Sequence, residues 1–242
     1  YLTELYYFAL SFFVYGFLGW CTEVAYAAAK QGKFVNRGFL NGPICPVYGI
    51  GVGVVVQFLT PVENNLVLLY ISSTILVTVI EGITGFLLEK IFHNKWWDYS
   101  EQPLNIGGYV CVLFSLIWGV FCVLIVKIIH PLIYKVLTMI PLVLGIVVMA
   151  CLAVGLLADL YVTASGILKM NRRLEAMEKI AAELKELSDK VGENIYENVM
   201  EGMEFREEKK ARIEELKAKY EEMAENRTKV GERLVKAFPK MQ

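Results

Sequence analysis

Long apolar runs fill the first two thirds of the chain, and they constrain its fold more than any other feature. Residues 1–166 hold only seven lysines and arginines and eight aspartates and glutamates, whereas residues 167–242 hold 17 basic and 17 acidic residues. About 20 apolar residues in a helix cross a bilayer core about 30 Å thick. The apolar part therefore predicts a transmembrane domain over 1–166, and the charged part predicts a helical domain in water over 167–242.

Five apolar segments predict an all-α, polytopic membrane protein with five transmembrane helices. Their approximate bounds are 5–29, 44–60, 66–91, 107–129 and 139–165. Basic residues collect in the loop 30–43, around Lys95 and shortly after residue 168, so these regions are predicted to face the cytoplasm. The N-terminus would then lie outside and the C-terminal domain inside. Lys127 and Lys135 fall on the outer side and speak mildly against this orientation.

The apolar domain contains a possible internal repeat. A shift of 66 residues pairs Gly16 with Gly82, Gly19 with Gly85, Glu23 with Glu89, Gly42 with Gly108, Cys45 with Cys111 and Gly53 with Gly119. The shared pattern GxxGxxxE puts both glycines and the glutamate on one helix face, where small residues let another helix approach closely. Parallel repeats occur among transporters, although glycine is common here and chance can produce some of these matches.

Acidic side chains lie within or at the ends of the predicted membrane helices. They are Glu23, Glu81, Glu89 and Asp159. An ionisable side chain in a membrane costs free energy unless it is paired or hydrated, and such residues often mark a functional site. In the predicted orientation all lie in the inner half of the bilayer or at its inner edge. They are candidates for ligand binding or, alternatively, for structural hydrogen bonds.

Two polar loops lie on the same predicted side, NRGFLNGPICPVYG from Asn36 and NKWWDYSEQPLNIGGYV from Asn94. Asn41 and Asn105 are predicted to cap the helices that follow, and Arg37 is predicted to pair with Asp98. Helix N-termini attract anions, so the loops either form an anion site or only turn the chain. The candidate binding residues are Glu23, Asn36, Arg37, Asn41, Glu81, Glu89, Asp98, Tyr99, Asn105 and Asp159.

Sequence motifs for catalysis, metal binding or nucleotide binding are not visible. The chain has no GxxxxGK[ST] phosphate loop, so it is not expected to hydrolyse ATP alone, and it has no zinc-ligand spacing or GxSxG nucleophile motif. We therefore expect no catalytic residues, metal ligands or cofactors. The balanced charge of the tail gives no indication of nucleic-acid binding.

The charged tail carries two apolar stripes that predict amphipathic helices. The first recurs every three or four residues from Met177 to Val199, and the second has heptad-like spacing from Ile213 to Leu234. Gly192 and Gly202 lie between them and permit a bend. Because such stripes must be covered, the tail is predicted to form a helical hairpin or coiled coil that also makes a homodimer.

Several segments resemble a bacterial membrane family of type IV ABC-transporter permeases. They are GFLGWCTEV, KFVNRGFLNGPICPVYGIG, VIEGITG, KWWDYSEQPLNIGGYVC and RLVKAFPKM. The resemblance spans nearly the whole chain and implies a lipid-embedded transport component, with any ATPase on a separate subunit. We expect a transporter or permease component with a polar site in the inner half of the bilayer. The alternatives are a scaffold or sensor that recruits partners through its tail and, less favoured, a membrane-embedded lipid-modifying enzyme.

Overall fold

The computed structural model describes residues 2–197 and 203–238, and helices form most of this part of the chain. The α-helices are α1 Leu2–Gln31, α2 Pro46–Leu59, α3 Leu66–Phe92, α4 Val112–Leu124, α5 His130–Thr138, α6 Leu142–Glu197, α7 Met203–Glu225 and α8 Lys229–Ala237. A 3-10 turn, Thr60–Val62, follows α2, and a π-helical turn, Ile125–Ile129, joins α4 to α5. Two short antiparallel strands, β1 Asn105–Ile106 and β2 Val110–Cys111, precede α4.

Four of the described helices are long and apolar enough to cross a membrane. These segments are Leu2–Gln31, Leu66–Phe92, Val112–Thr138 and Leu142–Lys190. The second predicted span corresponds to a shorter apolar helix, Pro46–Val62, whose 17 residues reach only about 25 Å along the helix axis. The structure therefore supports a multi-pass helical membrane protein with four candidate spans and one shorter apolar helix.

The fourth span differs from its predicted bounds of 107–129 at both ends. It begins at Val112 because Asn105–Cys111 forms the β1–β2 hairpin, in which Gly107 and Gly108 take positive φ values of 62° and 77°. It continues through the π-helical turn to Thr138, so the segment that holds Lys135 is helical rather than a loop. Pro131 follows the π-helical turn almost directly, and the helical span continues past it to Thr138.

The hairpins α1–α2 and α3–α4 make equivalent contacts, which supports the internal repeat. Four glycines face neighbours that obey the shift of 66 residues: Gly16 faces Ile44, Gly82 faces Val110, Gly53 faces Phe8, and Gly119 faces Thr74. A Cβ on Gly16 would lie 2.7 Å from Ile44 Cγ1, and one on Gly53 would lie 2.9 Å from Phe8 Cε2. The small residues thus permit the same close approach in both hairpins.

Apolar side chains fill the contacts between helices and also cover their outer faces. One buried cluster joins α2, α3 and the π-helical turn through Val55, Leu69 and Val126. Large apolar residues elsewhere are open, including Ile75 at 61% and Val154 at 69% exposure. Extended apolar exposure of this kind suits a lipid environment and would be costly in water.

The described chain divides into two compact units, Tyr1–Thr163 with Arg233–Gln242, and Ala164–Glu232. In the second unit, Arg212 of α7 pairs with Glu183 of α6 at 3.0 Å, and Arg173 donates to the carbonyl of Asn226. These contacts give the two helical segments an antiparallel arrangement. α6 runs through Gly192 without a break, whereas Val199 and Gly202 lie outside the described residues.

Candidate functional site at two polar loops

Residues 32–45, here called loop 1, leave the end of α1 and return along that helix. The amide of Cys45 donates to the carbonyl of Gly16 at 2.9 Å, and Ile44 packs against the same glycine. Gly16 lies 15 residues before Gln31, the last residue of α1, which is about 22 Å along the helix axis. Irregular backbone at membrane depth is stable where protein surrounds it or where it lines a cavity, so loop 1 is a natural place for a polar site.

Loop 1 binds the carboxylate of Asp159, which comes from α6. Asp159 Oδ1 accepts from Asn41 N at 3.1 Å and from Asn41 Nδ2 at 2.8 Å, and Oδ2 accepts from Gly42 N at 2.6 Å. Thr163 Oγ1 adds a further donor at 3.1 Å. Loop 1 therefore binds a carboxylate of the same chain through the backbone N–H groups of Asn41 and Gly42 and the Asn41 amide.

The same loop also binds a cation, the guanidinium of Arg233 in α8. Arg233 Nε donates to Asn41 Oδ1 at 3.0 Å, Nη1 donates to Gly38 O at 2.8 Å, and Nη2 donates to Phe39 O at 2.8 Å. Burial lowers the pKa of this guanidinium from its ordinary value, because desolvation penalises the charged form, and the charge of Asp159 opposes this effect. Arg233 is not among the binding residues predicted from the sequence, although its segment RLVKAFPKM is one of those that resemble the family.

Asn36 braces the inside of loop 1, and the residues after Arg233 cover it. Asn36 Oδ1 accepts from Trp20 Nε1 at 2.9 Å and from Gly38 N at 3.0 Å. Ala237 is buried with Ala27 of α1 in a small apolar cluster that also includes the partly buried Phe238. Asn36 and Asn41, both predicted as binding residues, thus use their side chains to shape loop 1.

Glu23, Arg37 and Tyr48 form a cluster beside this loop. Tyr48 Oη donates to Glu23 Oε1 at 2.8 Å, and Arg37 Nε lies 3.5 Å from Glu23 Oε2. The Arg37 guanidinium also lies over the Tyr26 ring, 4.8 Å from its centroid. The structure therefore pairs Arg37 with Glu23 rather than with the predicted Asp98, which accepts from the amide and hydroxyl of Ser100.

Glu81 lies next to the second loop, residues 93–111, here called loop 2. Tyr99 Oη donates to Glu81 Oε1 at 3.1 Å, and the Tyr99 ring stacks on Phe114 with centroids 4.9 Å apart. Glu81 Oε2 is buried and has no hydrogen-bond partner within the described part of the chain. Burial raises the pKa of Tyr99, and the charge of Glu81 raises it further.

Glu89 and Asn105 lie in a separate part of loop 2 and its surroundings. Glu89 Oε2 is 3.9 Å from Lys95 Nζ. Asn105 Nδ2 donates to Gln102 O at 2.7 Å, and its Oδ1 accepts from Gly108 N at 3.2 Å. Asn105 therefore fixes the β-hairpin.

The predicted caps at Asn41 and Asn105 are wrong. The residues at the N-cap positions of α2 and α4 are Cys45 and Cys111, and neither makes a side-chain cap. A side-chain cap must come from the residue directly before the first helical residue. Asn41 and Asn105 lie too far upstream of Pro46 and Val112 to reach the free N–H groups.

Apolar helices with polar loops folded back against them define the class of this molecule as a multi-pass helical membrane protein. A family model described as "Putative ABC-transporter type IV" matches residues 10–164, which are 155 of the 242 residues. The chain belongs to this family, as its loop motifs predicted. No curated protein and no solved structure matches it significantly. The matched region contains both loops and Asp159 but ends before Arg233.

Proposed function

We propose that this chain is the membrane-embedded component of a transporter and that its solute site is the carboxylate–tyrosine cluster of Glu23, Arg37, Tyr48, Glu81 and Tyr99. The observation that carries the proposal is the buried Glu81 Oε2, which has no hydrogen-bond partner among the described residues. Buried polar atoms are nearly always satisfied. An ionisable group in a membrane helix costs free energy unless it is paired or hydrated, and such a group often marks a functional site. An arriving solute or proton would satisfy this oxygen.

The charges of the cluster favour a cationic solute or a proton. Glu23 has Arg37 within 3.5 Å, whereas the nearest polar partner of Glu81 is the neutral phenol of Tyr99. The pair and the second carboxylate together carry a net negative charge when both glutamates are ionised. Tyrosine rings beside carboxylates also suit organic cations, because the faces of aromatic rings attract positive charge.

A transport assay with Glu81→Gln tests this site. Cells that produce equal membrane amounts of wild type, Glu81→Gln or Glu101→Gln are compared for accumulation of a panel of labelled amines, amino acids, nucleosides and sugars. Glu101 is an exposed carboxylate of the same loop as Tyr99, so it controls for charge removal alone. A solute whose accumulation needs the protein, survives Glu101→Gln and is lost in Glu81→Gln supports the site. Undiminished transport by Glu81→Gln would place the solute elsewhere.

We further propose that the N-terminus lies outside the cell membrane and the C-terminal domain lies in the cytoplasm. Lys30, Lys33 and Arg37 in or before loop 1, and Lys95 in loop 2, support this orientation through the positive-inside rule. Reporter fusions after Val62 and at the C-terminus test it. A reporter that is active only in the cytoplasm should be silent at Val62, and activity there would reverse the topology.

A separate ATPase subunit is the partner that this assignment requires. The family is related to ABC transporters, and the sequence has no phosphate loop of its own. Affinity purification from native membranes should recover a protein that contains GxxxxGK[ST] and hydrolyses ATP. Recovery of the chain without any such protein, under conditions that preserve membrane complexes, would favour a transporter driven by an ion gradient.

The helical unit Ala164–Glu232 favours a second role, recruitment of partners or homodimerisation. It forms its own compact unit, and the Arg212–Glu183 pair joins its two helical segments. Replacing residues 171–226 by a flexible linker of equal length should abolish partner recruitment or dimerisation and leave solute transport intact. A full-length protein that is monomeric in detergent, by sedimentation analysis with lipid and detergent accounted for, would exclude dimerisation through this unit.

A further inference from the structure

A pocket of about 130 Å³ lies among α1, α2 and the junction of the π-helical turn with α5. A cavity needs only about 10–15 Å³ on this measure to hold one water, so the pocket has room for a small organic molecule. The residues that carry the argument are Glu4, Tyr7, Tyr15, Gln57, His130 and Tyr134. Apart from Gln57 on the shorter helix α2, these residues lie on candidate membrane spans, and the carboxylate–tyrosine cluster uses none of them.

The π-helical turn directly precedes His130, which lines this pocket. The turn ends at Ile129, and His130 follows it directly; π-helical turns inside α-helices are frequent at functional sites. His130 Nδ1 lies 2.9 Å from Tyr15 Oη, and their rings stack with centroids 6.2 Å apart. Tyr15 is only 3% exposed, and it lines the pocket together with His130.

Aromatic rings and one carboxylate dominate the chemistry of the lining. The rings of Tyr7 and Tyr134 lie 5.1 Å apart at an angle of 57°, and Tyr134 lies 5.9 Å from His130. Glu4 is exposed near the start of α1, and no lysine or arginine lines the pocket. Tilted aromatic rings with a nearby carboxylate recognise methylated ammonium groups.

We propose that this pocket binds a small organic ammonium cation, with Tyr7, Tyr15 and Tyr134 around the ammonium group and the Glu4 carboxylate at the mouth. The proposal stands independently of the transport function assigned to the Glu81 cluster. Tyr15 directly precedes Gly16, the residue of α1 to which loop 1 returns. The pocket, which reaches Tyr15, and loop 1, which reaches Gly16, therefore contact α1 at adjacent residues.

Binding of choline to the full-length protein in lipid nanodiscs, measured by isothermal titration calorimetry, tests the proposal. The uncharged tert-butyl analogue of choline has nearly the same shape and serves as the matched ligand. Choline should bind and the neutral analogue should not. Equal binding of both would show that the pocket selects for shape and apolarity, and absence of choline binding would also overturn the proposal.

Variants then assign the binding to this pocket. Tyr7→Leu removes one ring and is expected to weaken choline binding by about 5- to 30-fold, whereas Tyr161→Leu, at a tyrosine on α6 that is 75% exposed, should leave it unchanged. If Tyr7→Leu does not fold, Glu4→Gln decides, because Glu4 is exposed and its loss should weaken binding only two- to fivefold, as is typical of an exposed ion pair. The proposal that choline binds in this pocket would be refuted if Glu4→Gln bound choline with unchanged affinity and Tyr7→Leu either did the same or did not fold.

Discussion

Replacing Arg233 by alanine should release residues 233–238 from loop 1. The guanidinium makes three hydrogen bonds of 2.8–3.0 Å to Gly38, Phe39 and Asn41. A hydrogen bond to a charged group contributes about 1.5–3 kcal/mol. The value for Arg233 is taken below the sum for three such bonds, because Arg233 is only partly buried and water can replace some of its partners. The expected loss is about 3 kcal/mol, which corresponds to a rise of about 100-fold in the equilibrium constant for local opening.

Hydrogen–deuterium exchange of the full-length protein in nanodiscs measures this opening. The informative amides are those of Gly38 and Gly42, which donate to Asn36 Oδ1 and to the Asp159 carboxylate. Their exchange should accelerate strongly in Arg233→Ala. Arg233→Lys should give an intermediate rate, because an ammonium keeps the charge but lacks the planar fork of donors.

Arg212→Ala is the matched control for the loss of an arginine. Arg212 makes an exposed ion pair with Glu183 on α6, and such pairs contribute at most about 1 kcal/mol. Exchange in loop 1 should therefore not change in this variant. Identical exchange of residues 36–42 in wild type and Arg233→Ala would refute the idea that the guanidinium holds the loop.

The remaining predictions concern helix packing and the phenol at Glu81. Gly19→Ala should destabilise the purified protein by about 1–3 kcal/mol, seen as a lower melting temperature, because a Cβ at this position would meet the Tyr48 ring. Gly155→Ala has open space around it and should be neutral or stabilise α6 by up to about 1 kcal/mol, so equal effects of the two changes would contradict the packing. For Tyr99, burial raises the pKa, so its stabilising bond to Glu81 is fully present below the unfolded pKa of about 10 and is lost as the pH rises through the higher folded value. Tyr99→Phe should remove one late-ionising tyrosine from an alkaline titration followed by phenolate absorbance, and an unchanged late phase would contradict the assignment.

Features that depend on local sequence were predictable. Apolar runs predicted five spans, and four of them correspond to helices long and apolar enough to cross a membrane, because the bilayer fixes the length that a helix needs. The glycine spacing also indicated the repeat, since Gly16 and Gly82 each face the equivalent residue of the next loop. The length of an apolar run depends on a single helix, and the glycine spacing depends on the packing within one helical hairpin, so both can be read from a short stretch of sequence.

Features that depend on distant pairing were not predictable from one sequence. Arg233 and Asn41 are separated by 192 residues, and no local pattern links a basic residue near the end of the chain to a loop near its start. The predicted Arg37–Asp98 pair failed for a related reason, because charge complementarity alone does not choose among several carboxylates. Glu23 lies on the helix against which loop 1 folds, and this geometry decides the partner of Arg37.

The hydrogen bonds of loop 1 narrow the candidate site. Its N–H groups at Asn41 and Gly42 contact the Asp159 carboxylate, and its carbonyls contact the Arg233 guanidinium. A loop whose donors and acceptors already have charged partners offers little to a solute, and an anion site at the helix N-termini stays a prediction. The unpartnered oxygen of Glu81 is different, because it is buried and has no hydrogen-bond partner among the described residues, although Tyr99 donates to the other oxygen of the same carboxylate. Loop 1 is therefore best understood as the structure that ties α1, α6 and α8 together, and the solute site is best sought at Glu81.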